Sequence, residues 1–472
     1  MSDKDVPKKT TKKVPVAANT LAVGAVATAL DEDREIPKKQ VWSWALWDWA
    51  TQPFNSVILT FVFTALYLTT DAFLPPEVAA LGEDADAYQR GIAELSANYG
   101  FVLGAAGILI ALLAPVIGQQ TDASGRRKRW LLIGTAIMTL CTAALFFVEA
   151  DQSFFFFGVW MIAIGSVGSE IAGVNYNAML AQVSTRKTVG RISGLGWGLG
   201  YLGGIIALII VVVVTKLNWF GMDTSNGMAF RIIALGCAVW TIIFVIPIVL
   251  NVPENTPAEG RERVNFFRAY VVLAKDIARL FRETRETFWF LIAAAIYRDG
   301  LAGVFAFGAI IAAGTFRFSS DEVMIFGIAA NLVAGVSTIL AGRFDDRFGP
   351  RAVIMFSLSG LVVAGIATFA LAEQGKIVFW IAGLILCIFV GPAQAASRSL
   401  LSRVTPAGRE GEVFGLYATT GRAASFMSPI AWSMFIAIGG YQVWGILGII
   451  AVIAIGLVCM LFVKVAPGAR QK

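Results

Sequence analysis

Twelve apolar blocks of about 20 residues each run through the chain, and this length constrains the fold more than any other feature. A helix rising 1.5 Å per residue needs about 20 apolar residues to cross about 30 Å of hydrocarbon. The blocks lie near 44–70, 97–118, 130–149, 154–181, 191–214, 229–250, 288–313, 323–342, 352–372, 377–397, 411–435 and 442–463. They are not ten-residue alternating segments, so a β-barrel is excluded. Lipid offers no water to unpaired backbone groups, so each block should be a helix. Composition agrees: 57% of the 472 residues are hydrophobic and 15% are charged, against roughly 25% charge in a soluble domain. An all-α membrane protein of twelve transmembrane helices is expected.

Charge placement orients it. Of the 38 Lys and Arg residues, most fall in alternate connections: 1–40, 119–129, 182–191, 251–287, 343–351, 398–412 and 464–472. The segment 71–95 on the other side carries Asp71, Glu77, Glu83, Asp84, Asp86 and Glu94 against Arg90. The positive-inside rule then puts both termini in the cytoplasm. Basic residues in short loops of this kind do not point to nucleic acid. The cluster Trp42, Trp44, Trp47 and Trp49 suits an interfacial aromatic belt. Cys141, Cys237, Cys387 and Cys459 each lie inside an apolar block, without metal spacing. There is no histidine, so any proton must travel through Asp or Glu, and Ser/His or Cys/His catalysis is excluded. Neither enzyme activity, cofactor nor metal is implied.

Five segments follow. Residues 1–40 and 464–472 read as cytoplasmic tails, the first disordered. A weakly apolar stretch, Val14–Leu30, has some likeness to a signal peptide. Six helices (41–250) and six more (288–463) flank a linker, 251–287. In the linker, Phe266, Phe267, Tyr270, Leu273, Ile277, Leu280 and Phe281 recur at helical steps, with Arg263, Arg268, Lys275, Arg279 and Arg282 between them. That pattern is a basic amphipathic helix on the membrane surface.

Two loops repeat. Gly118-Gln-Gln-Thr-Asp122-Ala-Ser-Gly125-Arg126 and Gly342-Arg-Phe-Asp-Asp346-Arg347-Phe-Gly349 share a G-x3-D-x2-G spacing with a nearby basic residue. Each follows the second helix of its half, which marks a duplicated six-helix unit. The first glycine allows close backbone approach and the second a tight turn. Asp122 and Asp346 would sit at the positive N-terminal end of a helix from the opposite half and form an inner gate.

Ionisable residues at bilayer depth are functional candidates. Arg298, Asp299 and Arg422 lie roughly 15–17 Å into their helices and Asp48 about 9 Å into its own; Glu170 lies in helix 4. Arg298 or Arg422 would meet a substrate carboxylate. Asp48, Glu170 or Asp299 would take a proton or face an amine. Mixed signs suit a zwitterion better than a sugar. The alternative for Asp299 and Arg422 is an internal ion pair. Gly198-Leu-Gly-Tyr-Leu-Gly203 spells a nucleotide-loop motif, but no strand precedes it. Gly196, Gly200 and Gly204 form a helix-packing stripe instead, and Trp197 and Tyr201 read as packing residues.

The paired loops resemble the signature of the major facilitator superfamily. Trp44-Ala-Leu-Trp-Asp48-Trp-Ala with Phe54-Asn55, Ile192 to Gly204, and Gln394-Ala-Ala-Ser-Arg-Ser-Leu400 with Gly415-Leu-Tyr417 and Gly421-Arg422 resemble the vacuole-effluxer-like family. Tyr297-Arg298-Asp299-Gly300 departs from that family's Tyr-Asn-Asp-Gly in its second residue. The resemblance implies the major facilitator fold, with two pseudo-symmetric six-helix bundles. It also implies transport of a small polar solute by alternating access, an amino acid or related zwitterion being the candidate substrate, while the buried carboxylates suit protons as the coupling partner. Helices 1, 4, 7 and 10 line the cavity in this superfamily, which adds Asn55, Asn175, Asn177, Tyr297 and Gln394 to the candidates. A monomer in the bacterial plasma membrane is expected. The competing reading is a sensor or scaffold that keeps the fold without transport.

Overall fold

The computed structural model describes residues 35–124, 126–185, 188–217, 227–254, 266–404 and 410–463. Most of both expected tails, the Val14–Leu30 stretch and Gly125 lie outside these residues. The spans, numbered in chain order, are α1 (Lys38–Leu68), α2 (Asp86–Ser124), α3 (Arg127–Ala144), α4 (Phe155–Val183), α5 (Val189–Lys216), α6 (Met228–Asn251), α7 (Arg285–Gly314), α8 (Ser320–Phe348), α9 (Pro350–Ala370), α10 (Lys376–Val404) and α12 (Trp444–Leu461). These eleven are long and apolar enough to cross a membrane. The remaining span is divided into α11a (Glu410–Ala423) and α11b (Met427–Gly439). The expected single helix over 411–435 is therefore two shorter ones, and α10 runs seven residues beyond its expected end at 397.

Local chemistry explains several element ends. Beyond Pro53, α1 loosens into π-helical turns over Phe54–Phe61 and Thr64–Leu68. Threonine hydroxyls answer carbonyls there: Thr60 donates to Asn55 O at 2.8 Å, Thr64 to Ile58 O at 2.9 Å and Thr69 to Thr64 O at 3.0 Å. In lipid such groups must be satisfied internally. Ser319 and Glu322 form a capping box at the start of α8. The same helix ends at Gly349, whose φ of 84° no L side chain adopts comfortably, and Pro350 opens α9. The second glycine of the repeated loop motif thus supplies a turn.

The two halves pack alike. In the first, α1 lies on α5 and α6, α2 on α4, and α3 on α4 and α6; in the second, α7 lies on α11a and α12, α8 on α10, and α9 on α10 and α12. Each pairing recurs six helices later, as a duplicated bundle requires. The linker helix, Phe266–Glu283, touches α2 through a hydrogen bond from Tyr270 to Leu112 O. Its end of the molecule is called the linker side below.

Contacts between the halves gather toward the far side. α2 lies along both parts of α11, whereas α5 meets α8 over a short stretch. Trp432 donates to Ser96 O at 3.1 Å, Ser433 to Ala97 O at 2.8 Å, and Gln442 to Ser96 Oγ at 2.8 Å. Gly104 and Gly107 let α2 approach Ile430 and Phe426 closely. At the rim, Arg317 pairs with Asp84 at 2.7 Å and Lys216 with Asp321 at 3.0 Å, and Tyr441 donates to Asp86 at 2.5 Å.

Gly349 offers a clean test of backbone strain, because a Cβ there meets no atom within 4 Å. Gly349→Ala should lower stability by about 1–3 kcal/mol, seen as a fall in unfolding temperature in detergent. Gly198 also faces open space but has helical backbone. Gly198→Ala should leave that temperature unchanged or raise it, by up to about 1 kcal/mol of stability.

Candidate functional site

The first wall of the site is a ladder on α1. Trp44, Asp48, Gln52 and Ser56 follow at four-residue steps and therefore share a face. They lie against Gly196, Gly200 and Gly204 of α5. A Cβ at Gly200 would come within 3.2 Å of the Asp48 carboxyl carbon, and one at Gly204 within 2.6 Å of Ser56 Oγ. The glycine stripe thus makes room for polar side chains between two membrane helices. Tyr176 of α4 stacks on Trp44 with centroids 4.3 Å apart and packs against Trp47 at 4.4 Å. Trp44 and Trp47 are buried, so the expected aromatic belt is reduced: of the four tryptophans only Trp42 is largely exposed. Their indole N–H groups find Tyr176 O and Thr135 Oγ1, both at 3.0 Å. Among the described residues, the Asp48 carboxylate has no hydrogen-bond or ion-pair partner. The buried Tyr176 hydroxyl also lacks one.

On α4, Glu170, Gly173 and Asn177 occupy one face. Arg422 of α11a reaches across from the other half and donates through Nε to Glu170 Oε2 at 2.8 Å. Gly173 lies beside it, with its Cβ position 3.9 Å from Arg422 Nη2. Asn177 is exposed on this face. Asn175, two residues earlier, points away: it is fully buried and donates to Ile171 O at 2.8 Å. A two-residue step turns a helix by about 200°, so the paired asparagines cannot share one cavity.

The segment Tyr297-Arg298-Asp299-Gly300 in α7 sends each residue to a different neighbour. Tyr297 is 0% exposed and its hydroxyl meets Ser397 Oγ of α10 at 2.5 Å, so it is a bundle contact rather than cavity lining. Arg298 lies over the Tyr417 ring at 4.1 Å and donates to Tyr417 O at 3.3 Å. It has no carboxylate partner among the described residues. Asp299 is 7% exposed and accepts from the Ser428 backbone N–H at 2.5 Å. The alternative Asp299–Arg422 ion pair does not form, because Arg422 belongs to Glu170. Gly300 leaves room for Ile453 of α12.

On α10, Gln394 and Arg398 are one turn apart on a shared face, Arg398 being exposed. Tyr201 of α5 lies within electrostatic reach of Arg398 and of Asp48. Arg398 was hidden in the sequence because helix 10 was expected to stop before it; its four-residue spacing from Gln394 was the available signal. Tyr201 read as packing, and the Arg298–Tyr417 contact has no local sequence signal. Asn55 lies seven residues beyond Asp48, on the same side of α1. Of the loop motifs, Gly118 and Asp122 fall in the last turns of α2, and Gly342 and Asp346 in those of α8; the environment of these four side chains lies outside the described features. Arg126 is exposed before α3, and Arg347 is exposed near the Phe348 ring.

A chemical pattern follows. The candidates are Asp48, Glu170 and Asn177 on the first half and Arg298, Arg422, Gln394 and Arg398 on the second. Between the halves, the Glu170 carboxylate meets the Arg422 guanidinium. These two answer each other, leaving Asp48 and Arg298 as opposite charges without charged partners among the described residues. Such an arrangement can take a small molecule carrying both an amine and a carboxylate.

Residues 37–472 match the profile of the family described as vacuole effluxer Atg22 like. The chain is 25% identical over 439 residues to the uncharacterized MFS-type transporter YxiO of Bacillus subtilis (strain 168), covering 90% of this chain and 95% of that one. It is 23% identical over 308 residues to autophagy-related protein 22 of Cryptococcus neoformans var. neoformans serotype D (strain B-3501A), covering 60% of this chain but 54% of that longer protein. Among solved structures, a D-xylose-proton symporter aligns with a TM-score of 0.63 at 15% identity, over 90% of this chain and 97% of that one. The nucleoside transporter NupG aligns with a TM-score of 0.58 at 16% identity, over 89% and 97%. These likenesses establish the major facilitator fold.

The cross-half ion pair is partly solvated: the Glu170 side chain is 45% exposed and that of Arg422 21%. A double-mutant cycle with Glu170→Gln and Arg422→Gln should therefore give a coupling energy of about 0.5–1 kcal/mol in detergent unfolding. A coupling near zero would show that the two groups do not hold the halves together.

Proposed function

The chain belongs to the vacuole effluxer Atg22-like family, and from that premise we propose that it is a secondary active transporter of a small zwitterion, an amino acid or a close relative. The observation that carries the reading is a carboxylate on one half, Asp48, and a guanidinium on the other, Arg298, neither with a charged partner among the described residues. Arg298 receives the substrate carboxylate, preorganised by the Tyr417 ring beneath it. The amine turns toward the first half, near Asn177. Asp48 carries the coupling proton, since it is a carboxylate within a span, beside a hydroxyl without a hydrogen bond, and the chain has no histidine to serve instead.

Alternating access completes the cycle. With contacts between halves concentrated on the far side, the cleft is reached from the linker side. The loop charges make that side the cytoplasm, with both termini there and the protein a monomer in the plasma membrane. The family description as an effluxer suits export. Asp122 and Asp346, with their flanking Arg126 and Arg347, close the linker side when the halves swing back, each carboxylate meeting a helix N-terminus of the other half.

Proteoliposome counterflow of labelled amino acids, with and without a pH gradient, tests the reading. Flux of none of them would refute it. Arg298→Gln should reduce counterflow at least tenfold by loss of a charge-assisted contact; unaltered flux would remove Arg298 from the site. Asp48→Asn should abolish stimulation by the pH gradient while leaving exchange largely intact. Equal losses in both would make Asp48 a substrate or packing residue. Asp122→Asn should raise maleimide labelling of single cysteines placed in the cleft from the linker side, and unchanged labelling would reject the gate.

A further inference from the structure

The break in α11 is built on both sides. At the end of α11a, the Ser425 hydroxyl donates to Arg422 O at 2.8 Å and the Ser425 N–H to the same oxygen at 3.2 Å. At the start of α11b, the residue preceding the helix is Phe426, whose side chain caps nothing. The cap comes from another helix: Asp299 of α7 accepts the Ser428 N–H at 2.5 Å. A carboxylate at this place satisfies an otherwise orphaned donor and complements the positive end of the helix. Gly303, one turn past Asp299, leaves the space that Ser428 fills; a Cβ there would come within 2.8 Å of Ser428 Cβ.

Neighbouring residues of α7 therefore hold the two parts separately, Arg298 gripping α11a at Tyr417 and Asp299 gripping α11b at Ser428. Their outer attachments differ too. Both parts run beside α2, but α11b is hydrogen-bonded to it through Trp432 and Ser433, whereas α11a bonds to the first half through Arg422 and Glu170 of α4.

We propose that residues 424–426 are a joint, which lets α11a and the Arg422–Glu170 contact move while α11b stays seated on α2, and that Asp299 is the positioning residue pinning α11b to α7. In this role Asp299 works as a hydrogen-bond acceptor and carries neither substrate nor proton. The joint does not depend on which solute is transported, so it stands or falls apart from the zwitterion reading.

Pulsed electron paramagnetic resonance on the full chain in nanodiscs tests it, with one spin-label pair on α11a and α4 and another on α11b and α2. Arg422→Gln should shift or broaden the first distance distribution by several ångström and leave the second unchanged. A joint shift of both, or of neither, would mean that α11 behaves as one rod and would overturn the joint. Asp299→Asn keeps an acceptor oxygen and should leave the α11b–α2 distribution as in the unaltered protein. Asp299→Ala should broaden it, and Gly303→Ala, which displaces Ser428 without touching the carboxylate, should do the same if the alanine variant at 299 fails to fold. Asn at 299 as disruptive as Ala, or no effect from Ala at either 299 or 303, would overturn the pin.

Discussion

A charge inside a membrane must be answered by another charge, by a backbone dipole or by water, and this demand organises the centre of the molecule. Glu170 and Arg422 answer each other across the two halves at 2.8 Å. Asp299 is answered by a buried backbone N–H in the first turn of a helix, and Arg298 by the face and carbonyl of Tyr417. Each solution differs in what it leaves available. An ion pair is consumed, a capped carboxylate is consumed, but a guanidinium lying on a ring keeps donors to spare. Asp48 has none of these answers, and that sets it apart from the other buried carboxylate in α7.

The glycines serve the same demand from the other direction. A polar side chain can lie between two membrane helices only where the facing helix gives up volume. Gly196, Gly200 and Gly204 give it to Tyr176, Asp48 and Ser56, and Gly421 gives it to Arg298. The run around Gly198 to Gly203 that spells a phosphate loop is therefore part of a packing surface, in a helix with no strand before it.

Much of this architecture was legible before any coordinates. Apolar block length, loop charge and the doubled G-x3-D-x2-G motif each carry strong local signals, because lipid thickness and loop translocation act on short segments. The membrane helices and the duplication followed. What stayed hidden depends on neighbours distant in sequence. The interruption of α11 had a local signal in Pro429, which has no N–H to continue the ladder from residue 425, but the cap of α11b comes from residue 299 and not from a local Ser or Asp. Glu170 as the partner of Arg422 stayed hidden for the same reason, the sequence having offered Asp299 instead. Trp44 and Trp47 looked interfacial because burial against Tyr176 leaves no trace in α1 itself, and Asn175 and Asn177 were taken together although a helix turns them to opposite faces.

The two margins of the cleft are not alike. One is closed along its length, where α2 lies against both parts of α11; the other is joined over a short stretch where α5 meets α8, with Lys216 and Asp321 near its end. The second margin therefore offers the smaller resistance to separation of the halves. Acyl chains lie beside the lightly joined edge, so the lipids flanking α5 and α8 are the ones whose order and thickness bear most directly on how widely the molecule can part.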